Sequence, residues 1–511
     1  MRRCCSTVQS SWAIALADHP QADSRKAWYL LHSWAGIVLA LAIYVVCASG
    51  CVALFVHELQ LWQYPELQRI AAPAGGVVNV KAVLNEAKLA GLIQDRATLQ
   101  LPRYSNGVIL RLQDDSGRMA VFDPTSGALL GIKPEGFGRA LRVLHSDLLL
   151  PFPWGTFLTG FLGITLMFLV LTGVVMHRRF YRDIFTLRTG RSWRLSWSDA
   201  HKLAGTWGIA FLGMMGFTGS VLGLAGLLLL QTAVVAHKGD SGKAYAEIGG
   251  KTESASGTLA PLGATAPMLA RDIRGEPFIP RFFTIAHIGD EKATVTVEGE
   301  RPDYLSTNDR KVFDREGRLL ATPRGVGNGA GWRTYSALLP LHFAEFGDAT
   351  LKFVYLLLGI AACLMPVSGI LLWLDRHRRD NTMARAQHLM RGLAAGVTIG
   401  FPIAVATLFL AARLAPQWMA QQGNPVLALC SAWLATVAWA LWRAEKPHVE
   451  RGLLGLAGIL FVLVAPVNAW VSGDAVLFAL AQPLHTSHVV DGVMLALGLS
   501  LLSAYRHLKQ Y

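Results

Sequence analysis

Leu31-His32-Ser33-Trp34-Ala35-Gly36 and His201-Lys202-Leu203-Ala204-Gly205 read as two versions of one helix entrance. In both, a small-residue pair follows 17 and 18 positions after the histidine: Ser49-Gly50 and Thr218-Gly219. A second motif recurs as well. Leu144-His145 precedes Thr172-Gly173, and Leu341-His342 precedes Ser368-Gly369 at nearly the same spacing. The chain thus carries a duplicated two-helix unit with a histidine at each helix entrance. An ionisable ring is costly in lipid, so a symmetric set of four points to ligands of a shared cofactor.

The composition places these helices in a membrane. Of 511 residues, 52% are hydrophobic and 16% charged, and the mean hydropathy is +0.37. Eight apolar spans are expected, near 33–56, 154–176, 203–232, 352–374, 391–412, 425–442, 452–471 and 488–505. Each is long enough to cross about 30 Å of hydrocarbon. The net charge of +13 does not mark a nucleic-acid binder, because the cations crowd the span ends. Arg178, Arg179, Arg182, Arg188, Arg191 and Arg194 follow the second span. Arg376, Arg378, Arg379, Arg385 and Arg391 follow the fourth. The alternate short loops, 413–424 and 472–487, hold only Arg413 and Asp474. By the positive-inside rule both termini are cytoplasmic, and the long loops 58–153 and 233–351 face the opposite side. The first span is too long for a signal-peptide core and reads as an uncleaved anchor.

The expected fold is an α-helical polytopic membrane protein with two small α+β domains inserted between helices 1–2 and 3–4. Its divisions are 1–57 (N-terminus and first span), 58–153 (first inserted domain), 154–232 (second span, basic loop and third span), 233–351 (second inserted domain), 352–380 (fourth span) and 381–511 (a four-helix extension). Within the first insertion, Val78–Gly91 has helical spacing. Val108–Leu112 and Met119–Phe122 make a hairpin around an Asp-Ser-Gly turn, and Asp123-Pro124-Thr125-Ser126-Gly127 is a second turn. Ala293–Val297 and Lys311–Leu320 repeat strand patterns in the second insertion. None of the six cysteines lies in either insertion. Cys47 and Cys51 read as packing residues, and with no Cys-x-x-Cys-His the chain has no covalent c-type haem site.

The four histidine motifs, with the Val-Phe-Asp-Pro-x-x-Gly turn at 121–127, resemble the PepSY-associated transmembrane-helix family over roughly residues 26–380. That resemblance implies PepSY-like periplasmic insertions in a bacterial inner-membrane protein. It also implies kinship with iron-regulated proteins and ferric-siderophore reductases that bind b-type haem. Residues 388–511 lie beyond it.

Haem iron takes two axial ligands, and neutral imidazole is a common one. Depth then sets the pairing. His32 and His201 stand at cytoplasmic entrances, and His145 and His342 at outer ones, so two b-type haems are expected, on His32/His201 and on His145/His342. His177, at the end of the second span, is a reserve ligand for the inner site, although its repeat equivalent is Trp373. His57 is a reserve for the outer site. His485 and His488 are three apart, a weak metal-pair signal. The other histidines read as solvated or interfacial. Gly216, Gly219, Gly223 and Gly226 form a stripe that admits either a flat macrocycle or a neighbouring helix.

Gly325–Ala330 fits G-x-G-x-x-A but reads as a flexible approach to the fourth span, and no P-loop, flavin or nicotinamide domain is visible. Electrons would come from the quinol pool or a cytoplasmic reductase. Asp491 is the clearest acidic residue within a span, and that scarcity argues against a proton-coupled pump. The expected function is a haem-containing reductase that passes electrons outward to a ferric-siderophore or other ferric chelate, attracted by Arg103, Arg111, Arg118, Arg139, Arg142, Arg333 and Lys352. No side chain of the chain itself is assigned as catalytic. The alternatives are a non-enzymatic PepSY-type sensor and a permease component.

Overall fold

The computed structural model describes residues 20–73, 76–112, 117–176, 185–188, 192–244, 254–323, 325–378, 381–446, 449–473 and 486–507. Among these, seven helices are long and apolar enough to cross a membrane, and a bent pair makes up to eight. The chain is a multi-pass membrane protein. Helix α1 (Pro20–Ala53) leads into the short α2 (Val56–Gln63), and α3 (Val80–Leu89) opens the first insertion. Strands β1 (Arg96–Gln100), β2 (Val108–Arg111), β3 (Arg118–Phe122) and β4 (Leu129–Pro134) follow. Then α4 (Gly138–Asp147) carries His145 up to α5 (Trp154–Met176).

The expected continuous span at 203–232 is broken. Helix α6 (Trp193–Trp207) meets α7 (Ile209–Gly223) at 66°, and α8 (Ala225–His237) continues beyond. The bend falls at Gly208, which ends one helix and caps the next. Glycine weakens helix continuity, while hydropathy runs through the bend unchanged. Ser192 accepts a hydrogen bond from the Leu195 amide at the start of α6. The buried Asp199 accepts two from the Arg188 guanidinium, both at 2.8 Å, pinning α6 two residues before His201.

The second insertion supplies β5 (Ile279–Ala286), β6 (Thr294–Arg301), β7 (Ser306–Asp314) and β8 (Leu319–Ala321), followed by α9 (Ala330–Phe343) with His342. The two insertions share one eight-stranded antiparallel sheet, ordered β8-β7-β6-β5-β1-β2-β3-β4. The seam pairs β1 with β5, with Leu99 opposite Phe283. Val80, Val83, Leu84 and Ala87 of α3 pack with Leu99, Leu110, Phe122, Phe283 and Val297 to form its core. The turn at 123–127 closes on Asp123, whose carboxylate accepts from the Thr125 and Ser126 amides. Gly127 there has φ +77°, and a Cβ would lie 2.5 Å from Ala82, so the turn requires glycine.

Helix α10 (Ala349–His377) completes the duplicated unit. Its Gly359 receives Cys51, whose Sγ a Cβ would meet at 2.6 Å, so that cysteine packs between helices. The extension comprises α11 (Ala384–Thr398), α12 (Gly400–Leu414), α13 (Asn424–Trp442), α14 (Val449–Ser472) and α15 (Thr486–His507). It is bolted to α2. The buried Asp491 accepts from Trp62 Nε1 at 2.8 Å and Asn468 Nδ2 at 2.6 Å. The Arg413 guanidinium lies 4.1 Å over the Trp62 ring. Asp491 therefore joins three helices through polar contacts in an apolar setting.

Candidate functional site

The structure brings the four histidines into two facing pairs. The His32 and His201 ring centroids are 6.4 Å apart at 85°, and those of His145 and His342 are 6.0 Å apart at 34°. His32 sits near the start of α1. Gly50, 18 residues on, touches His145. At about 1.5 Å per residue the two pairs lie about 27 Å apart along that helix, one pair at the sheet side and one at the opposite side.

The small-residue pairs seat these rings. His32 lies on Thr172-Gly173, His201 on Ser368-Gly369, His342 on Thr218-Gly219, and His145 on Ser49-Gly50. The histidine of one helix in each unit thus rests on the other helix of the same unit, and the pairs form between units. The sequence repeat displayed these residues but not their exchange.

The hydroxyls decide which ring nitrogen is free. Thr172 Oγ1 donates to the Phe168 carbonyl at 2.9 Å, so it accepts from His32 Nδ1–H, also at 2.9 Å. Thr218 Oγ1 donates to the Met214 carbonyl at 2.8 Å and accepts from His342 Nδ1–H at 2.9 Å. Ser368 Oγ donates to the Leu364 carbonyl at 2.7 Å and accepts from His201 Nδ1–H at 2.7 Å. Ser49 Oγ likewise donates to its own helix, at the Val45 carbonyl, but His145 Nδ1–H donates past it to the Val46 carbonyl at 2.8 Å. All four rings therefore hold Nδ1 as donor and leave Nε2 with a lone pair. This is the arrangement of a metal-binding imidazole fixed by its other nitrogen.

Spacing supports the same capability. Two metal–imidazole bonds of about 2 Å, plus about 1 Å from each nitrogen to its ring centre, put centroids about 6 Å apart. Among the described residues no group of three or more His, Cys, Asp or Glu side chains converges on one point.

The outer pair opens into a cavity of about 570 Å³ that reaches the sheet, bordered by Gly50, Gly219, Phe211, Met215, Tyr104 and Phe282. Burial pushes His342 down to about 3, with His145 adding to the effect, and lowers His145 too. Both rings are neutral near pH 7. His57 lines the same cavity but stacks on Tyr104, 3.8 Å between ring centroids. His177 and His485 lie outside the described residues. His488 is buried in the extension. Of the glycine stripe, Gly219 faces His342, while Gly216 and Gly223 close against Gly163 and Gly160 of α5. Gly226 falls in α8.

A family model described as the PepSY-associated TM region matches residues 29–376. The chain belongs to this family. The PepSY-associated region holds all four paired histidines and ends just after α10 supplies Ser368-Gly369; the helices from α11 onward lie beyond it. An uncharacterized protein of Pseudomonas aeruginosa is 33% identical over 345 residues, covering 64% of this PepSY-associated chain and 86% of that relative.

Proposed function

We propose that this protein is a haem-containing inner-membrane reductase that passes electrons outward to a ferric siderophore or a similar ferric chelate during iron acquisition. The observation that carries the reading is the pair of imidazole couples, 6.4 Å and 6.0 Å between centroids, at the two ends of α1, with no Nε2 hydrogen-bonded among the described residues. Bound b-type haem would supply a one-electron centre at each couple. The chain's own residues do the rest. Thr172, Ser368, Thr218 and the Val46 carbonyl fix the imidazole tautomers, and the seating glycines let the rings lie close against the helices. The cavity volume falls within the roughly 300–1,000 Å³ of small-molecule sites, and its sheet-side residues would hold a chelate near the outer couple. Reduction would loosen the iron, because hard oxygen donors hold Fe³⁺ better than Fe²⁺. The cations at 376, 378, 385, 391, 443, 446 and 451 lie at the ends of spans. They support cytoplasmic termini and a periplasmic sheet. The electron donor would be a quinol or a cytoplasmic reductase.

The test is a dithionite-reduced minus oxidised visible spectrum of the detergent-purified chain, with haem quantified per chain. Two b-type haems are expected. One haem would keep the reductase and break the symmetric wire. A folded protein without haem, made with adequate haem supply, would overturn the reading and leave a sensor in its place.

A further inference from the structure

Five arginines line the cavity between the outer histidines and the sheet, Arg103, Arg111, Arg139, Arg142 and Arg281, against two glutamates, Glu135 and Glu345. Four of them are matched. Arg111 and Arg139 take the two oxygens of Glu135 at 3.1 and 2.6 Å. Arg281 grips Glu345 with both nitrogens at 2.8 and 3.2 Å, and Arg103 lies 2.8 Å from Glu300. Arg142 has no hydrogen bond or ion pair among the described residues. It stands on α4 one turn before His145, partly buried.

Burial pushes this guanidinium below its ordinary range; Arg111 and Arg139 add to the push, while Glu135 and Asp147 oppose it. Arginine nevertheless keeps its proton in proteins, and a charge withdrawn from water calls for a counter-ion. Glu135 and Asp147 lie near enough to favour the charge, but neither makes a hydrogen bond or ion pair with it among the described residues, and Glu135 already holds Arg111 and Arg139. The cavity beside Arg142 is open to a ligand. A guanidinium fork matches a carboxylate with two parallel hydrogen bonds.

We infer that Arg142 anchors a carboxylate-binding subsite one turn from His145. This rests on the proposed function for the two ligands that could bring the carboxylate, a haem propionate or an anionic ferric chelate. The subsite explains why a cation without a hydrogen-bonded partner among the described residues is held at this depth, and it would orient its ligand toward the outer histidines.

The experiment uses the full chain carrying Arg142→Gln and Arg142→Lys. Three readouts are compared with the unsubstituted protein: haem per chain, the midpoint potential of the outer centre, and equilibrium dialysis of ferric citrate against a carboxylate-free ferric trihydroxamate. A propionate source predicts that Arg142→Gln loses the outer haem or lowers its midpoint potential, with citrate binding unchanged. A chelate source predicts about tenfold or weaker binding of ferric citrate, the trihydroxamate unaffected, and haem retained. In either case Arg142→Lys falls between, because it keeps the charge and loses the fork. Haem, potential and citrate binding all unchanged in Arg142→Gln would overturn the subsite while leaving the two-haem reading intact. An unsubstituted protein without haem would instead overturn the proposed function, and dialysis, which needs no haem, would still decide the subsite.

Discussion

The two histidine couples come from one sequence repeat, yet their surroundings differ. At the outer couple, a Cβ on Gly50 would meet His145 Cε1 at 2.8 Å and one on Gly219 would meet His342 at 3.3 Å. At the inner couple the corresponding gaps are 3.6 Å at Gly173 and 3.8 Å at Gly369. The outer rings are tilted by 34° and face a large cavity. The inner rings are nearly perpendicular at 85° and do not line it. Both inner rings donate to hydroxyls, whereas His145 donates to a backbone carbonyl. The duplication supplied a pair of histidines at each end, and the neighbouring helices then made one end tightly seated and open to the sheet.

The strongest way to break this comparison is to remove one ring at a time. His342→Ala should take bound haem from two per chain to one while the inner centre keeps its spectrum, and His201→Ala should do the reverse. Loss of both centres from either variant in a folded protein would mean the couples are not independent.

Seating comes next. Gly50→Ala should displace His145 and cost about 1–3 kcal/mol, as overpacking does. Gly173→Ala, with ordinary contact distance to spare, should be close to neutral. Parallel melting curves and outer-haem content would show it, and equal effects would erase the asymmetry.

Tautomer control is a smaller effect. Thr218→Val should weaken haem retention at the outer couple by about 10–100-fold, and Thr218→Ser should restore it. No side-chain change can imitate this at His145, whose partner is the Val46 carbonyl. Haem titration of the apoprotein reads the difference, and an unaffected valine variant would reduce the hydroxyl to a packing role.

A last test uses pH. His342 folds with its proton affinity pushed down to about 3, against an unfolded value of about 6.5. Above 6.5 neither state is protonated. As pH falls from 6.5 toward 3, the unfolded chain gains a proton that the folded chain refuses, so stability falls. The haem-free protein should melt at a lower temperature at pH 5 than at pH 7.5, and His342→Phe should shrink that difference.

Much of this was legible beforehand. The helix entrances, their histidines and the pairing by depth follow from a repeat in the chain. The hairpin at β2–β3 and helix α3 follow from period and turn chemistry. The bend at Gly208 was not legible, because hydropathy has no direction. Nor was the seam between β1 and β5, where Leu99 meets a residue far along the chain at Phe283. Ser49, Thr172, Thr218 and Ser368 were visible as a repeat, but the rings they seat were not. Asp491 read only as an oddity in a span until Trp62 and Asn468 closed on it.

The sequence by itself determined a duplicated membrane unit with a histidine at each entrance, because apolar length and residue spacing are local properties written along the chain. Only the tertiary structure decided which small-residue pair seats which ring, that both insertions build one sheet, and that Arg142 stands beside His145 with no hydrogen bond or ion pair among the described residues. Those facts depend on contacts between residues remote in sequence, where distance and the direction of each hydrogen bond, rather than composition, set the outcome.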